Sequence, residues 1–421
     1  MKSGSPMRIL MFTDRFPPEV RSAAHLFHDL AREFQRRGHD VAVFTKAPTR
    51  YVANGDVGSA APGWEDVDGV RTRRVRGFPL AGLHPVIRGL DHLALGRSFW
   101  RSSREWPEAD VLLVYSPPLP LAGAGAKYHR SFGAPVVLNV QDLYPQTAID
   151  LGLLRNRVAI ALAEGMERRA YERAARIVVH SPGNRAFLLD RKGVPGEKVR
   201  VIYNWVDLDA LRPGPRENGL RAEEGLAGRF VVSYAGLMGY AQDLNDVIEC
   251  AALMQADADV LFLLVGEGVQ EARWRGMAAD RRLRNVRFLP MQSRERYAQL
   301  LAASDVCLVP LDGALRTPVV PGKLQSIMAS GRPAITIAHS EGDTPKLVAE
   351  SGGGISVPPG QPRALLEAIR QLRADPTSQE EMGRRGRAFA EAHFSIARCA
   401  DSYEALFAEV LGGRPRGAKD P

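Results

Sequence analysis

"LRPGPRENGLRAEEGLAGRFVVSYAGLMG", residues 211–239, decides the fold. Its first part, 211–228, is rich in Pro, Gly and charge, a composition that connects domains. Its second part restarts a pattern already run once upstream. There, "RILMFTD" (8–14) reads as a buried strand. Leu26, Leu30 and Phe34 then fall near helical spacing, Gly38 closes the helix, and "DVAVFTK" (40–46) is the next strand of a βαβ unit. "GVRTRRVRGF" (69–78) reads as a hairpin arm, "ADVLLVYSP" (109–117) and "APVVLNVQD" (134–142) as parallel-type strands, and "VRVIYNWVD" (199–207) ends the first half. After the restart come "ADVLFLLVGEG" (258–268), "NVRFLPM" (285–291), "ASDVCLVPL" (303–311), "RPAITIA" (332–338) and "GGGISVPPG" (352–360), with helical stretches between. Two successive doubly wound α/β halves follow, with ligands expected at the carboxyl ends of the strands, in a cleft between the halves. The expected division is 1–210, a linker at 211–228, 229–390, and a terminal helix in 391–421 returning to the first half.

At 421 residues and 45% hydrophobic content the chain exceeds one core. Charged residues at 25% are the ordinary globular share. The net charge of +8 and pI near 9.5 suit nucleic acid, an acidic membrane surface or phosphorylated ligands, without choosing among them. Zinc spacing, an RNP-like aromatic strand and a recognition-helix signature are missing, so nucleic acid is not expected as a partner. Cys250, Cys307 and Cys399 are far apart and odd in number, which fits buried thiols in a reducing cytoplasm. The start "MKSGSPMRILMFTD" has no signal-like apolar region with a cleavage site, and no uncharged apolar run reaches about 18 residues. A cytoplasmic or peripheral protein is the expectation.

"PGKLQSIMASGRPAI" (321–335) reads as the start of a helix running into a Gly-Arg-Pro turn and a strand. Pro321 is tolerated in a first helical turn. Lys323 follows within that turn, where the helix dipole disfavours a cation, so an anionic ligand is implied. In "VVSYAGLMGYAQD", Gly236 and Gly239 lie just past a strand, where backbone N–H groups can approach an anion, although such turns are equally common as plain structure. "VGEG" (265–268) reads as structural. In "NVQDLYP", Asp142 leaves a strand end and either positions or deprotonates a hydroxyl, or caps the next helix with Gln146. The pairs Asp66–Asp68 and Asp257–Asp259 could hold a divalent ion on a diphosphate, but one leads into a turn and the other precedes a strand, so no metal is expected. His25 and His28 lack a third ligand and read as helix residues. Residues 71–104 hold eight arginines and one acid, Asp91. Val86, Leu90, Leu93 and Trp100 fall near helical spacing with Arg88, Arg97 and Arg101 between them, the pattern of an interfacial helix drawn to anionic lipid or of a solvated basic surface.

These motifs in this order resemble the large retaining glycosyltransferase family 4, of the GT-B fold, and within it the WbuB-type and colanic-acid-type transferases. The resemblance is carried by "FPPEVRSAAHLFHDLAREFQRRGHDVAVFT" (16–45), "QDLYPQTAIDLGLL" (141–154), "AYERAARIVVHSPGNRAFLLDRKGVPGEKVRVIYNWVD" (170–207), "FVVSYAGLMGYAQDLNDVIE" (230–249) and "VPGKLQSIMASGRPAI" (320–335). It implies a nucleotide-diphosphate sugar bound mostly by the second half and a saccharide acceptor, carried on lipid, bound by the first. It implies hexosyl or N-acetylhexosaminyl transfer with no cofactor or metal, on the way to surface polysaccharide. Asp142 and Lys323 are the expected catalytic residues. Gly236, Gly239, Gly322, Lys323 and Ser326 are the expected donor contacts, and Glu19, Arg21, Ser22 and Tyr144 the expected acceptor contacts. The family commonly has two glutamates eight apart where this chain has Pro318 and Ser326; Ser326 is read as a changed grip on the donor ribose. The usual Arg and Lys of the first loop in the second half are not evident in "GLMGYAQD". Two other readings are a non-catalytic sugar-nucleotide-binding partner in a polysaccharide complex, and a sugar-nucleotide 2-epimerase of the same fold.

Overall fold

The computed structural model describes residues 5–19, 22–48, 61–76 and 85–412; the side chains of 22–23 and 85–92 lie outside that description. The chain forms two units. One comprises residues up to 146, 154–204 and 396 onward; the other comprises 147–153 and 205–395.

The first unit is built on an eight-stranded sheet. Its strands are β1 (Arg8–Phe12), β2 (Asp40–Lys46), β3 (Gly63–Val67), β4 (Val70–Val75), β5 (Val111–Ser116), β6 (Val136–Val140), β7 (Arg176–Val179) and β8 (Val199–Val201), in the order β3-β4-β2-β1-β5-β6-β7-β8. All neighbours are parallel except the hairpin β3–β4. Strands β1 and β5 are continuous apolar runs because helices cover both faces of a parallel sheet. Phe12 stacks on Phe44 (5.8 Å) and meets Phe99 edge-on (5.3 Å) in the core. The final helix, Ile396–Leu411, belongs to this unit. Its Asp401 and Glu404 pair with Arg37 at 2.6 and 3.0 Å, and its Tyr403 hydroxyl accepts from Asn139 Nδ2 at 2.5 Å.

The second unit has six parallel strands: β9 (Phe230–Ala235), β10 (Val260–Val265), β11 (Val286–Leu289), β12 (Val306–Pro310), β13 (Ala334–Ile337) and β14 (Gly354–Val357). Their order, β11-β10-β9-β12-β13-β14, is that of a dinucleotide-binding fold, and the strand order reverses between β9 and β12. The crevice at that switch point is where such sheets bind ligands.

The stretch 211–228 differs from the linker expected of it. It carries the helix Gly219–Glu223, and Arg221 is only 2% exposed. That guanidinium is affordable in the interior because its donors are satisfied. It donates to the carbonyls of Ala303, Leu226 and Arg229 and pairs with Asp305 at 2.7 Å, fastening the stretch to β12. Among the described residues no helix is long and apolar enough to cross a membrane.

Candidate functional site

In the second unit β9 delivers Tyr234 and Gly236 to the switch point, and the connection after β12 delivers the helix Gly322–Ala329 with Lys323 in its first turn. Pro321 is the N-cap rather than a first-turn residue, and it supplies no side-chain cap. The Lys323 ammonium lies 3.2 Å from the Tyr234 hydroxyl and 4.4 Å from the centroid of its ring. No acidic side chain among the described residues forms an ion pair with it. Loss of hydration lowers its pKa to about 7. An ammonium held without a carboxylate beside a glycine turn can take an anion, and a phosphate oxygen there would restore its charge.

The glycine turn works differently from the expected anion cradle. Gly236 N donates to Val265 O (2.9 Å), Met238 N to Glu267 O (2.8 Å), and Gly239 N to the Gln242 side chain (3.3 Å). These N–H groups are spent on the neighbouring turn and on Gln242. Gly236, at φ 143°, has another use: a Cβ there would lie 3.4 Å from Cε and Nζ of Lys323. The helix that follows starts only at Asn245, whose N–H is taken by Asp243 at 2.9 Å. That helix end therefore already carries a carboxylate.

Ser326 also differs from its expected role. Its hydroxyl donates to Gly322 O at 3.3 Å, and Tyr297, on the helix Arg294–Ala303, lies near it. That hydroxyl would have to give up its bond within the helix before it could donate to a ribose. Ser326→Ala is expected to change the donor KM by less than about threefold with kcat unaltered, since a neutral hydrogen bond contributes about 0.5–1.5 kcal/mol. Steady-state kinetics with varied donor check this; a tenfold KM increase would return Ser326 to the ribose.

In the first unit Asp142 stands two residues beyond β6, and its carbonyl accepts from Tyr144 N at 2.8 Å in a tight turn. Loss of hydration raises its carboxyl above the usual carboxylate range, while the exposure of the residue lets water moderate that shift. Its negative charge and that of Asp14, just past β1, help hold the buried Tyr115 hydroxyl protonated, though burial is the larger cause. Gln141 is locked by Asn139 (2.9 Å) and by a reciprocal pair with Asn204 (3.0 and 2.8 Å). Strand ends β1, β5 and β6 thus gather Asp14, Arg15, Tyr115 and Asp142.

Glu19, expected to meet an acceptor, is 2% exposed, and Arg15 Nη1 donates to both its oxygens at 3.1 and 2.8 Å. Its carboxylate organises the loop after β1. Arg21 and the Ser22 side chain lie outside the described residues. Tyr144 is half-buried at its turn.

The aspartate pairs have partners within the fold. Asp66 accepts from Gly69 N (2.7 Å) in the β3–β4 turn, Asp257 pairs with Arg373 (3.0 Å), and Asp259 with Arg373 (2.7 Å). His28 lies 3.1 Å from Asp68. In the basic segment Trp100 faces the core, at 6.2 Å from Phe132, rather than outward as an interfacial anchor. Arg73 pairs with Glu105 at 2.8 Å, and Arg74, 1% exposed, pairs with Glu65. Leu93, Arg97, Arg101 and Arg104 are exposed; Val86, Arg88 and Leu90 lie outside the described side chains.

Sequence reasoning missed Tyr234, Gln242 and Tyr297. For Tyr234 a signal existed: a tyrosine near the end of a buried strand carries a hydroxyl that needs a partner.

Residues 23–205 match the Glycosyl transferase 4-like domain, and residues 229–375 match Glycosyl transferases group 1. The chain belongs to this glycosyltransferase family. It is 28% identical over 397 residues to WcaI, the glycosyl transferase assigned to colanic acid biosynthesis in Escherichia coli (strain K12), covering 87% of this chain and 92% of that one. Among solved structures it is similar to sucrose-phosphate synthase of Thermosynechococcus elongatus (TM-score 0.75, 20% identity, 97% of this chain and 100% of that chain). It is also similar to Anabaena HepE in complex with UDP and glucose (TM-score 0.72, 18% identity, 96% and 100%). The fold of this glycosyltransferase is GT-B, two parallel-sheet Rossmann-like domains.

Proposed function

We propose that this glycosyltransferase moves a hexosyl or N-acetylhexosaminyl group, with retention, from a nucleotide-diphosphate sugar to a saccharide acceptor carried on lipid, in surface polysaccharide biosynthesis. The observation that carries the reading is the carboxylate-free Lys323 ammonium beside Gly236 at the switch point. The relative assigned to colanic acid biosynthesis supports the polysaccharide role, and the neighbour solved with UDP and glucose supports the donor class. The second unit takes the donor and the first takes the acceptor.

As the bond between sugar and phosphate breaks, negative charge grows on the leaving diphosphate. A cation already in place stabilises that charge without rearrangement. Lys323 supplies it, so the reaction needs no divalent ion; Asp257 and Asp259 are occupied by arginine in any case. Turnover of labelled nucleotide sugars before and after chelation tests both points: release of nucleoside diphosphate is expected at the same rate in EDTA.

Asp142 holds the acceptor hydroxyl or takes its proton, a task suited to a carboxyl whose basicity loss of hydration raises. Asp142→Asn is expected to lower transfer about a hundredfold or more while the donor Kd stays within twofold. Calorimetric titration beside the rate assay checks it; an equal loss of donor affinity would place Asp142 in the nucleotide site or the fold.

The enzyme works at the cytoplasmic membrane face, held there by the exposed arginines of 71–104. Flotation with anionic vesicles is expected to capture the protein at low salt and lose it at high salt. Arg97→Gln with Arg101→Gln should weaken capture about thirtyfold, at about 1 kcal/mol per charge. Capture indifferent to salt and to both changes would leave this an ordinary surface.

A further inference from the structure

We propose that Tyr234 is the positioning residue that aims Lys323 at the donor diphosphate, coupling the cation to the glycine turn. The inference rests on the reading of Lys323 as the diphosphate-holding group.

A lysine ammonium on a flexible four-carbon stem has no preferred direction of its own. Here Tyr234 supplies one. Its hydroxyl donates to Leu237 O at 2.7 Å, so its oxygen is left to accept from Lys323 Nζ at 3.2 Å. The result is an ordered chain, Lys323 N–H to Tyr234 O–H to the Leu237 carbonyl. The ring face, 4.4 Å from Nζ, attracts the same ammonium a second way. Gly236 lies directly against the lysine tip, at a φ of 143° that a side chain would strain, with a Cβ there falling 3.4 Å from Cε and Nζ.

Tyr234 is itself fixed. It is fully buried in β9, between β10 and β12, and burial holds its hydroxyl protonated. Among the described residues, the titratable group that acts on Tyr234 is Tyr297, on the helix Arg294–Ala303, whose hydroxyl burial also keeps neutral. The device is thus a neutral hydroxyl and an aromatic face acting on one cation.

Phenylalanine at 234 keeps the ring and removes the link to Leu237; leucine removes both. The test is a double-mutant cycle read by nucleoside-diphosphate affinity. UDP, GDP, ADP and TDP are titrated into the wild-type protein by calorimetry, and the one that binds is used throughout. Tyr234→Phe is expected to weaken binding about three- to tenfold, and Tyr234→Leu further. In a Lys323→Met background both changes should shrink to less than twofold, because the target of their action is gone. Equal effects in the two backgrounds would overturn the inference and leave Tyr234 a residue of the fold, with Lys323 still the diphosphate ligand. No effect of Tyr234→Phe in the wild-type background would overturn it too. If Lys323→Met alone leaves affinity unchanged, or no nucleotide binds, the reading of Lys323 fails and the inference with it. Melting curves of each variant identify loss of fold, and a Phe variant that melts like the wild type yet binds normally counts against the proposal.

Discussion

Lys323→Ala lowers turnover at saturating donor by more than tenfold. A charge-assisted hydrogen bond contributes about 1.5–3 kcal/mol, and charge accumulating on the leaving diphosphate makes the bond stronger in the transition state than in the ground state. At 1.4 kcal/mol per decade that is about one to two decades. Donor KM rises as well, because the ground-state phosphate also loses its partner. Lys323→Arg should rescue poorly, since a guanidinium is bulkier than the ammonium that fits against Gly236 and spreads its charge over a planar fork instead of concentrating it at one point. The pH dependence follows from burial. In the free protein the proton on Lys323 is present below about 7 and is lost as pH rises through that value. kcat/KM for the donor therefore falls on the alkaline side, and kcat falls later, because bound diphosphate holds the proton on. Unchanged kinetics in Lys323→Ala would remove the residue from the site.

Gly266→Ala destabilises the second unit by about 3 kcal/mol or more. At φ 146° the residue occupies backbone space that L side chains rarely enter, and a Cβ would fall 1.9 Å from the Gly236 carbonyl oxygen. The strain is about 1–3 kcal/mol and the overpacking about as much again. Backbone, not a flexible side chain, is the obstacle, so relief requires moving the Gly236 turn itself. Calorimetric melting should show a fall of about 6–12 °C for a unit of this size. Gly165→Ala is the control: it lies in the helix Arg157–Arg173 with nothing within 4 Å of the added carbon, and its melting temperature should hold or rise slightly. A Gly266→Ala protein melting within 2 °C of the wild type would show that the two turns are not held together as described.

The sequence made the strands of the second half legible because each is a short apolar run between turn residues, and the alternation with helices forced parallel pairing. β7, four residues long, and the hairpin strand β3, with its alternating exposure, gave too little apolar signal to be read. The helix Gly219–Glu223 was hidden for another reason. Arg221 and its neighbours look like solvated linker until Asp305 and three carbonyls, remote in sequence, surround the guanidinium. In the candidate site, Lys323 was legible because Pro-Gly-Lys announces a cation at a helix start. Its partner was not, because the contact to Tyr234 spans 89 residues. The same limit hid the surroundings of Ser326: its neighbour Tyr297 comes from a different helix, and only the fold brings the two near each other. Gly236 was singled out for its N–H, yet what matters there is the missing side chain, a property composition shows but whose use depends on the lysine beside it.

The account stands on the second unit gripping a nucleotide-diphosphate sugar and releasing its diphosphate. The most direct measurement is release of nucleoside diphosphate from a panel of UDP-, GDP-, ADP- and TDP-linked sugars by the full chain in EDTA, with the Lys323→Ala protein run alongside. The account predicts slow acceptor-free release from at least one nucleotide class, suppressed more than tenfold in the variant. Release from none of the donors, or release undiminished without Lys323, would contradict it.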